Sequence, residues 1–262
     1  MPVLQGPTSI GGLFIGSGAA ARAYLGASLV WEAGGGTTPP PSSAPALRAV
    51  NGGYSQNAAG STATVNTPST TGAGDTLFAV RSLNYAGLNQ VTNLPTGAGV
   101  TWELLDTIAG GNVALGLYRG VVTTAGARTV SFTTTSDSSQ FAIVRTYEGA
   151  CVLDAYSETG AASATTLTIP GVTTTGPAQV FGAWTTVQFN AASTDGSALQ
   201  LPAGMTGRLS VPGDSWVELM AAHADVSAAG ATGAFSSSLV IGGTTRAASA
   251  GWAGMLVAVK RA

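Results

Sequence analysis

From Ala46 to the C-terminus, the chain is built from short runs in which apolar and polar residues alternate. Asp75–Leu83 (DTLFAVRSL) and Gln140–Tyr147 (QFAIVRTY) are two such runs, rich in Val, Thr and aromatic residues. Gly, Pro, Asn, Asp and Ser separate them, and these residues favour turns. Alternation with a period of two places successive side chains on opposite faces of a strand. About a dozen strands at this spacing predict an all-β fold, a jelly-roll-like antiparallel β-sandwich.

The individual strands follow from the same pattern. We expect them over 63–65, 75–83, 100–105, 112–119, 128–133, 140–147, 165–169, 179–187, 207–211, 215–221, 237–241 and 251–260. Trp216–Ala224 (WVELMAAHA) could instead begin a helix capped by Asp214 or Ser215, but a strand is favoured. Asp195–Gly207 and Ser227–Gly233 are predicted loops, and the first is long enough to fold over a face of the sandwich. No repeat of fixed period is evident.

The N-terminal stretch Ile10–Trp31 (IGGLFIGSGAAARAYLGASLVW) has a different character. Its apolar runs are very short and bounded by glycine, which predicts a small β segment joined by tight turns. A piece of about 25 residues cannot bury enough apolar surface to fold alone, so its side chains require a partner surface. The candidate assembly contacts are Phe14, Ile15, Tyr24, Leu25, Leu29 and Trp31.

Gly34–Gly36 and Pro39–Pro41 follow this stretch, a flexible joint and then a stiff spacer. The predicted organisation is therefore an anchor or docking segment over 1–33, a linker over 34–45 and a β-sandwich over 46–262.

Composition excludes several classes of protein. Charged residues make up only 8% of the chain and the net charge is −2, with no basic stripe, so nucleic acid is not an expected partner. The single cysteine, Cys151, excludes an internal disulfide framework and is expected to be a buried core residue. No run of about 18 apolar residues predicts a membrane span, and no signal peptide is visible. We expect synthesis in the cytoplasm, followed by incorporation into a larger assembly.

The sequence contains no recognisable catalytic or metal-binding constellation. His223 is the only histidine; on a strand it would share a face with Asp225, but a hydrogen-bonded structural histidine is favoured. The carboxylates are scattered, so no calcium loop and no catalytic carboxylate pair is assigned.

Nucleophilic catalysis has no better support. G-x-S-x-G is absent, and the Gly213-Asp214-Ser215 stretch resembles the opening block of GDS-type hydrolases without their late Asp-x-x-His. A turn explains it better. We therefore expect a protein that is not an enzyme and that has no cofactor or metal.

Aromatic residues fall into two groups. Trp102, Trp184, Trp216 and Trp252 lie within strand patterns and are predicted to fill the core between two sheets. Tyr54, Tyr85 and Phe189 lie in or beside loops rich in Asn, Gly and Ser, where binding residues concentrate, and they are the candidates for contact with a glycan.

Several motifs make the chain similar to known families. Ala23–Trp31 (AYLGASLVW) resembles the "YLGSxxVW" element near the start of many minor tail and tail-tip proteins of siphophages that infect GC-rich bacteria. The rest resembles a module of phage tail proteins and bacterial surface proteins. The matching stretches are Gly74–Val80 (GDTLFAV), Gly99–Trp102 (GVTW), Tyr118–Gly126, Val144–Gly149 (VRTYEG), Ala222–Gly233 and the final WAGMLVAVKRA.

The resemblance implies a jelly-roll-like sandwich displayed on a virion, often as an oligomer, and it carries over no catalytic residues. We expect a structural protein of a bacteriophage particle, as a minor tail, tail-tip or fibre component. Residues 1–33 would dock onto other virion proteins, and the sandwich would be free to contact a host surface glycan. A symmetric homo-oligomer is expected, with a trimer favoured. The alternatives are a carbohydrate-binding module of a bacterial surface or secreted protein and a capsid decoration or head-fibre protein.

Overall fold

A computed structural model describes residues 43–55, 60–187, 198–212, 217–248 and 250–262, apart from the side chains of 85–87 and 212. Before residue 43 it describes only the backbone of four short strands. The chain divides into two compact units, Met1–Ser42 and Ser43–Ala262. The boundary falls inside the predicted linker.

The first unit contains strands β1 (Phe14–Ile15), β2 (Gly18–Ala19), β3 (Arg22–Leu25) and β4 (Ser28–Glu32). β1 pairs antiparallel with β2, and β3 pairs antiparallel with β4. β1, β3 and β4 are the short strands that the glycine-bounded apolar runs predict.

The first half of the second unit forms a five-stranded antiparallel sheet in the order β5-β11-β7-β9-β8. A two-stranded ribbon of β6 and β10 accompanies it, and a 3₁₀ helix follows β7. The bounds are β5 (Leu47–Ser55), β6 (Thr62–Asn66), β7 (Thr76–Asn84), the 3₁₀ helix (Tyr85–Thr92), β8 (Val100–Gly110), β9 (Val113–Val122), β10 (Thr129–Thr133) and β11 (Gln140–Tyr147).

The second half forms another five-stranded antiparallel sheet, in the order β12-β21-β15-β17-β16. A ribbon of β13 and β19 accompanies this sheet. The bounds are β12 (Cys151–Ala161), β13 (Thr166–Ile169), β14 (Thr173–Thr174), β15 (Ala178–Val187), β16 (Thr206–Pro212), β17 (Val217–Val226), β18 (Gly230–Ala231), β19 (Phe235–Ile241), β20 (Thr244–Arg246) and β21 (Trp252–Arg261).

The two halves have the same topology. Each half has seven main strands, which can be numbered 1 to 7 in chain order. In both halves the large sheet has the strand order 1-7-3-5-4, and strand 2 pairs with strand 6 in the ribbon. The corresponding strands are β5 and β12, β6 and β13, β7 and β15, β8 and β16, β9 and β17, β10 and β19, and β11 and β21. The domain is therefore an internal duplication.

Corresponding residues meet where the halves pack together. The rings of Phe78 and Phe181 are in contact, with centroids 6.4 Å apart. Further along the same two strands, the hydroxyls of Ser82 and Thr185 are hydrogen-bonded at 2.7 Å. Both pairs have the same sequence separation. β7 and β15 therefore face each other across the central core and run in the same direction. This is the arrangement expected when a pseudo-two-fold axis lies between the two sheets.

The duplication extends to a β-bulge near the start of each half. β5 is bulged at Arg48, between Leu47 and Ala49, and β12 is bulged at Asp154, between Leu153 and Ala155. Each bulged residue bonds to the start of the third strand or the turn before it: Arg48 to Asp75 (2.9 Å) and Asp154 to Thr175 (2.7 Å to its backbone N–H). In both halves the β-bulge thus allows its extra residue to bond to the chain close to the start of the third strand.

The apolar residues form layers. The central core lies between the two large sheets, and it takes residues such as Phe78, Leu115, Phe181 and Leu219. The outer face of the first sheet is covered by the β6–β10 ribbon, and that of the second by the β13–β19 ribbon and residues 198–205. The sandwich is therefore four layers thick.

The all-β antiparallel sandwich of the prediction is confirmed. The jelly-roll connectivity is not, because each sheet is built from one half of the chain rather than from strands contributed by both. The strand over 217–226 is confirmed in place of the helical alternative. β5 and β12 were not predicted. They are sheet edges, half exposed along their length and interrupted by Asn, Gly, Asp and Glu.

Among the described tryptophans, Trp184 and Trp252 are buried and Trp102 is half-buried, but none of the three lies between the two large sheets. Trp184 and Trp252 lie in the outer core of the second half, and Trp102 packs against the outer core of the first. The ring of Trp184 lies over Gly182, and its Nε1 donates to the carbonyl of Leu167 in the covering ribbon (3.0 Å). Trp216 lies outside the described residues. Cys151 is buried in the central core, as predicted.

Candidate functional site

The sandwich has two distinct ends, which we call near and far. At the near end β5, β7, β12 and β15 begin and β11 ends, and the link between the halves crosses there. The Thr76 hydroxyl donates to the carbonyl of Gly149 (3.0 Å) and accepts from the N–H of Cys151 (2.9 Å). Residues 1–42 join the sandwich through Ser43, just before β5. The near end is therefore where the chain enters.

At the far end β5, β7, β12 and β15 finish. The two halves come into close backbone contact here: a Cβ on Gly110 would lie 1.8 Å from the carbonyl oxygen of Trp252. The 3₁₀ helix and the connections over 134–139, 162–165 and 242–248 gather at this end. Loops held by a rigid sandwich, away from its point of attachment, are where binding residues are usually placed.

The charged residues of the described part are concentrated toward the near end. Ion pairs there join Arg48 to Asp75 (2.9 Å) and Lys260 to Asp154 (2.7 Å). The described charged residues in the half of the sandwich next to the near end are Arg48, Asp75, Glu103, Arg119, Arg128, Arg145, Glu148, Asp154, Arg208, Asp225, Lys260 and Arg261.

A buried polar network ties the halves together at this end. Arg145, 1% exposed, donates to Tyr147 (3.1 Å) and to Gln179 (2.9 Å), and its guanidinium lies 5.0 Å from the ring centre of Phe181. Gln179 in turn donates to Asp225 (3.0 Å). Burial raises the pKa of Tyr147, so this phenol stays neutral.

His223 lies on the same strand face as Asp225, as its position two residues away predicts. Burial, with the nearby Arg145 cation, lowers its pKa, while Asp225 acts in the opposite direction. Within the described residues, no group of three His, Cys, Asp or Glu side chains could hold a metal ion. The pair is therefore assigned to the structural network.

Two carboxyl groups that are distant in sequence meet midway along one edge of the sandwich, where β8 lies beside β12. The pKa of Glu158 is raised by burial and by the neighbouring Asp106 carboxyl. The neighbouring Asp106 also raises the pKa of the Tyr156 phenol. Glu158 Oε2 is buried without a partner among the described residues. Burial and the adjacent carboxyl therefore favour the protonated form of Glu158.

The part of the far-end surface that the structure describes carries few charges. Among the described residues there, only Asp137 and Arg246 are both charged and exposed. Hydroxyl and amide groups take the place of charges: Gln90 accepts from the N–H of Thr135 (2.7 Å), and Asn84 accepts from the N–H of Ser139 (2.8 Å).

One buried cation organises this end of the first half. Arg81, 1% exposed, donates to Gln140 Oε1 (2.7 Å) and to the carbonyls of Gln90 (3.0 Å) and Thr133 (2.8 Å). Burial lowers the pKa of Arg81, and the neighbouring Tyr118 acts in the opposite direction. Arg81 is not among the predicted site residues; an arginine in the middle of an otherwise apolar strand run is the signal that could have identified it.

Tyr54 is the predicted glycan candidate that the structure describes most fully. It lies near the end of β5, 41% exposed, and stacks on the buried Phe141 with ring centres 5.8 Å apart and planes at 12°. Tyr85 begins the 3₁₀ helix after β7, but its side chain is outside the described part. Phe189, two residues after β15, is also outside it.

The predicted assembly residues fall in the first unit. Phe14 and Ile15 form β1, Tyr24 and Leu25 lie in β3, and Leu29 and Trp31 lie in β4. Their side chains are outside the described part of the chain.

Comparison of the chain with family models, with curated proteins and with solved structures gives no match. In the described residues, no helix is both long and apolar enough to cross a membrane.

Proposed function

We propose that this protein is a structural component of a bacteriophage particle, with residues 1–33 docked onto other virion proteins and the sandwich displayed. The observation that carries the proposal is the arrangement of the second unit. The chain enters at one charged end. The loops of the opposite end, whose described surface has Asp137 and Arg246 as its exposed charges, are left for contact with a surface. The "YLGSxxVW"-type element in β3 and β4 supports the assignment to a tail, tail-tip or fibre component.

The separation into two compact units supports different roles for them: attachment for the first unit and display for the second. The second unit has its own central core and two outer cores, so it has no need of residues 1–42 for burial. The first unit is too small to fold alone and gains stability by docking, through edge pairing or by insertion of Phe14, Leu25 and Trp31 into a groove.

Deletion of residues 1–33 in the phage genome tests this proposal. The shortened protein is expected to fold, with the circular dichroism and unfolding midpoint of the sandwich, and to be missing from purified particles. Substitution of Leu25 and Trp31 by Ser in the full chain should reduce incorporation in the same direction. Incorporation of the shortened protein at the normal level would contradict the proposal.

A further inference from the structure

We infer that the far end of the sandwich, around Tyr54, binds a neutral polysaccharide. The inference rests on the proposed function in one respect: display leaves the far end free. The chemistry of the ligand follows from the described residues of that end.

The first step concerns charge. A surface that recognises an anionic or cationic polymer needs complementary charges, which also steer its approach. The exposed charges of the described far end are one acid, Asp137, and one base, Arg246, whereas the near end is dense in both signs. The charge of the buried Arg81 is enclosed by carbonyl and amide oxygens. A ligand that fits this end carries hydroxyl groups and little net charge.

The second step concerns the aromatic platform. Sugar rings present apolar C–H faces that pack on aromatic rings, and a ring already held in place costs little entropy on binding. Phe141 is fully buried and supports one face of Tyr54, so the tyrosine ring is held while 41% of its surface stays exposed.

The third step concerns how the end of β5 that carries Tyr54 is held. Arg81 donates to the side-chain oxygen of Gln140 (2.7 Å), and the amide of Gln140 donates to the carbonyl of Ser61 (2.9 Å). The Ser55 hydroxyl donates to the Ser61 hydroxyl (3.1 Å). Because side chains alternate along a strand, Ser55 and Gln140 lie on the face of the sheet opposite to Tyr54. These contacts therefore fix the backbone that carries the ring, which lowers the cost of ordering it on binding.

Affinity electrophoresis of the full-length protein through gels that contain mannan, galactan, arabinan or dextran tests the inference, with heparin as the anionic comparison. We expect at least one neutral polysaccharide to retard the protein, heparin not to, and added salt to leave the retardation unchanged. Tyr54→Ala should weaken binding about three- to tenfold, the worth of one stacking contact, while Tyr54→Phe should retain it.

Tyr156→Ala is the matched control, because Tyr156 is exposed to a similar degree (44%) but lies away from the far end. Absence of binding to every neutral polysaccharide would overturn the inference, as would an equal loss in the Tyr156 variant or salt-sensitive binding to heparin alone. Virion incorporation of Tyr54→Ala, which leaves residues 1–33 intact, reports on the proposed function separately.

Discussion

Ser82 and Thr185 occupy corresponding positions in the two halves of the sandwich, and their hydroxyls bond to each other at 2.7 Å in the fully buried interface. Together with the contact between Phe78 and Phe181, this bond shows that the duplicated halves pack through equivalent surfaces. Each half therefore buries one face of its sheet against the other half. A single half would have to bury that face against a second copy of itself.

The first prediction concerns this bond. Ser82→Ala or Thr185→Val alone should lower the free energy of unfolding by about 1–3 kcal/mol, because the remaining hydroxyl loses its partner where water cannot reach. The double variant should lose less than the sum of the two, which urea denaturation would measure as a coupling energy.

The exposed pair of Thr62 and Thr133, bonded at 3.1 Å, supplies the control for this experiment. Thr62→Val should cost less than about 0.5 kcal/mol, since water replaces the lost bond. Strict additivity of the Ser82 and Thr185 substitutions would contradict the assigned contact.

The second prediction concerns the outer core of the second half. A Cβ on Gly182 would approach the ring of Trp184 to 2.2 Å, and that ring is fully buried and bonded to the covering ribbon. Gly182→Ala should therefore destabilise the sandwich by about 1–3 kcal/mol in urea unfolding. Gly176→Ala, whose Cβ would meet no atom within 4 Å, should be nearly neutral. Equal stability of the two variants would show that the ring lies elsewhere.

The third prediction concerns the carboxyl group of Glu158, which lies beside Asp106. Because the pKa of Glu158 is raised above 4.5 in the folded protein, the group stabilises the fold below its unfolded pKa. This contribution is lost as the pH rises through the folded pKa. Glu158→Gln, which cannot ionise, should therefore gain stability relative to the natural protein at pH 7, by less than about 1 kcal/mol because the group is partly exposed. Unfolding curves at pH 4 and pH 7 would measure the difference, and a constant difference would refute it.

The fourth prediction has the opposite sign of proton linkage. The pKa of His223 is lowered below 6.5, so the folded state disfavours the imidazolium. The stabilising contribution is present above the unfolded pKa and is lost as the pH falls through the folded pKa. Arg145 and Asp225 face the ring with opposing effects. His223→Gln should make stability less dependent on pH between pH 7 and pH 5; an unchanged slope would exclude His223 as the cause.

Local patterns in the sequence were sufficient to predict the buried strands. β7, β11 and β15 are rich in Val, Ala, Phe and Thr, and every residue in them is buried. The edge strands β5 and β12 were missed because their exposed positions accept turn-forming residues. Tyr54 could be predicted as a surface aromatic residue beside a loop.

The duplication could not be found in the sequence, for two physical reasons. Connections of different length change the spacing between corresponding residues from strand to strand, so no fixed period survives. The same structural position is also filled in different ways: Arg81 in the first half corresponds to Trp184 in the second, and each is fully buried and bonded to its covering ribbon. Likewise, the contact of Asp106 with Glu158 joins strands from different halves and leaves no trace in local spacing.

The most direct test of the central claim, an assembly segment joined to a self-contained sandwich, is the solution mass of the full chain and of residues 46–262 by light scattering. We expect a defined homo-oligomer for the full chain, with a trimer favoured, and a folded monomer for the sandwich alone. Equal oligomeric states of the two proteins would contradict it, because residues 1–45 would then contribute nothing to assembly.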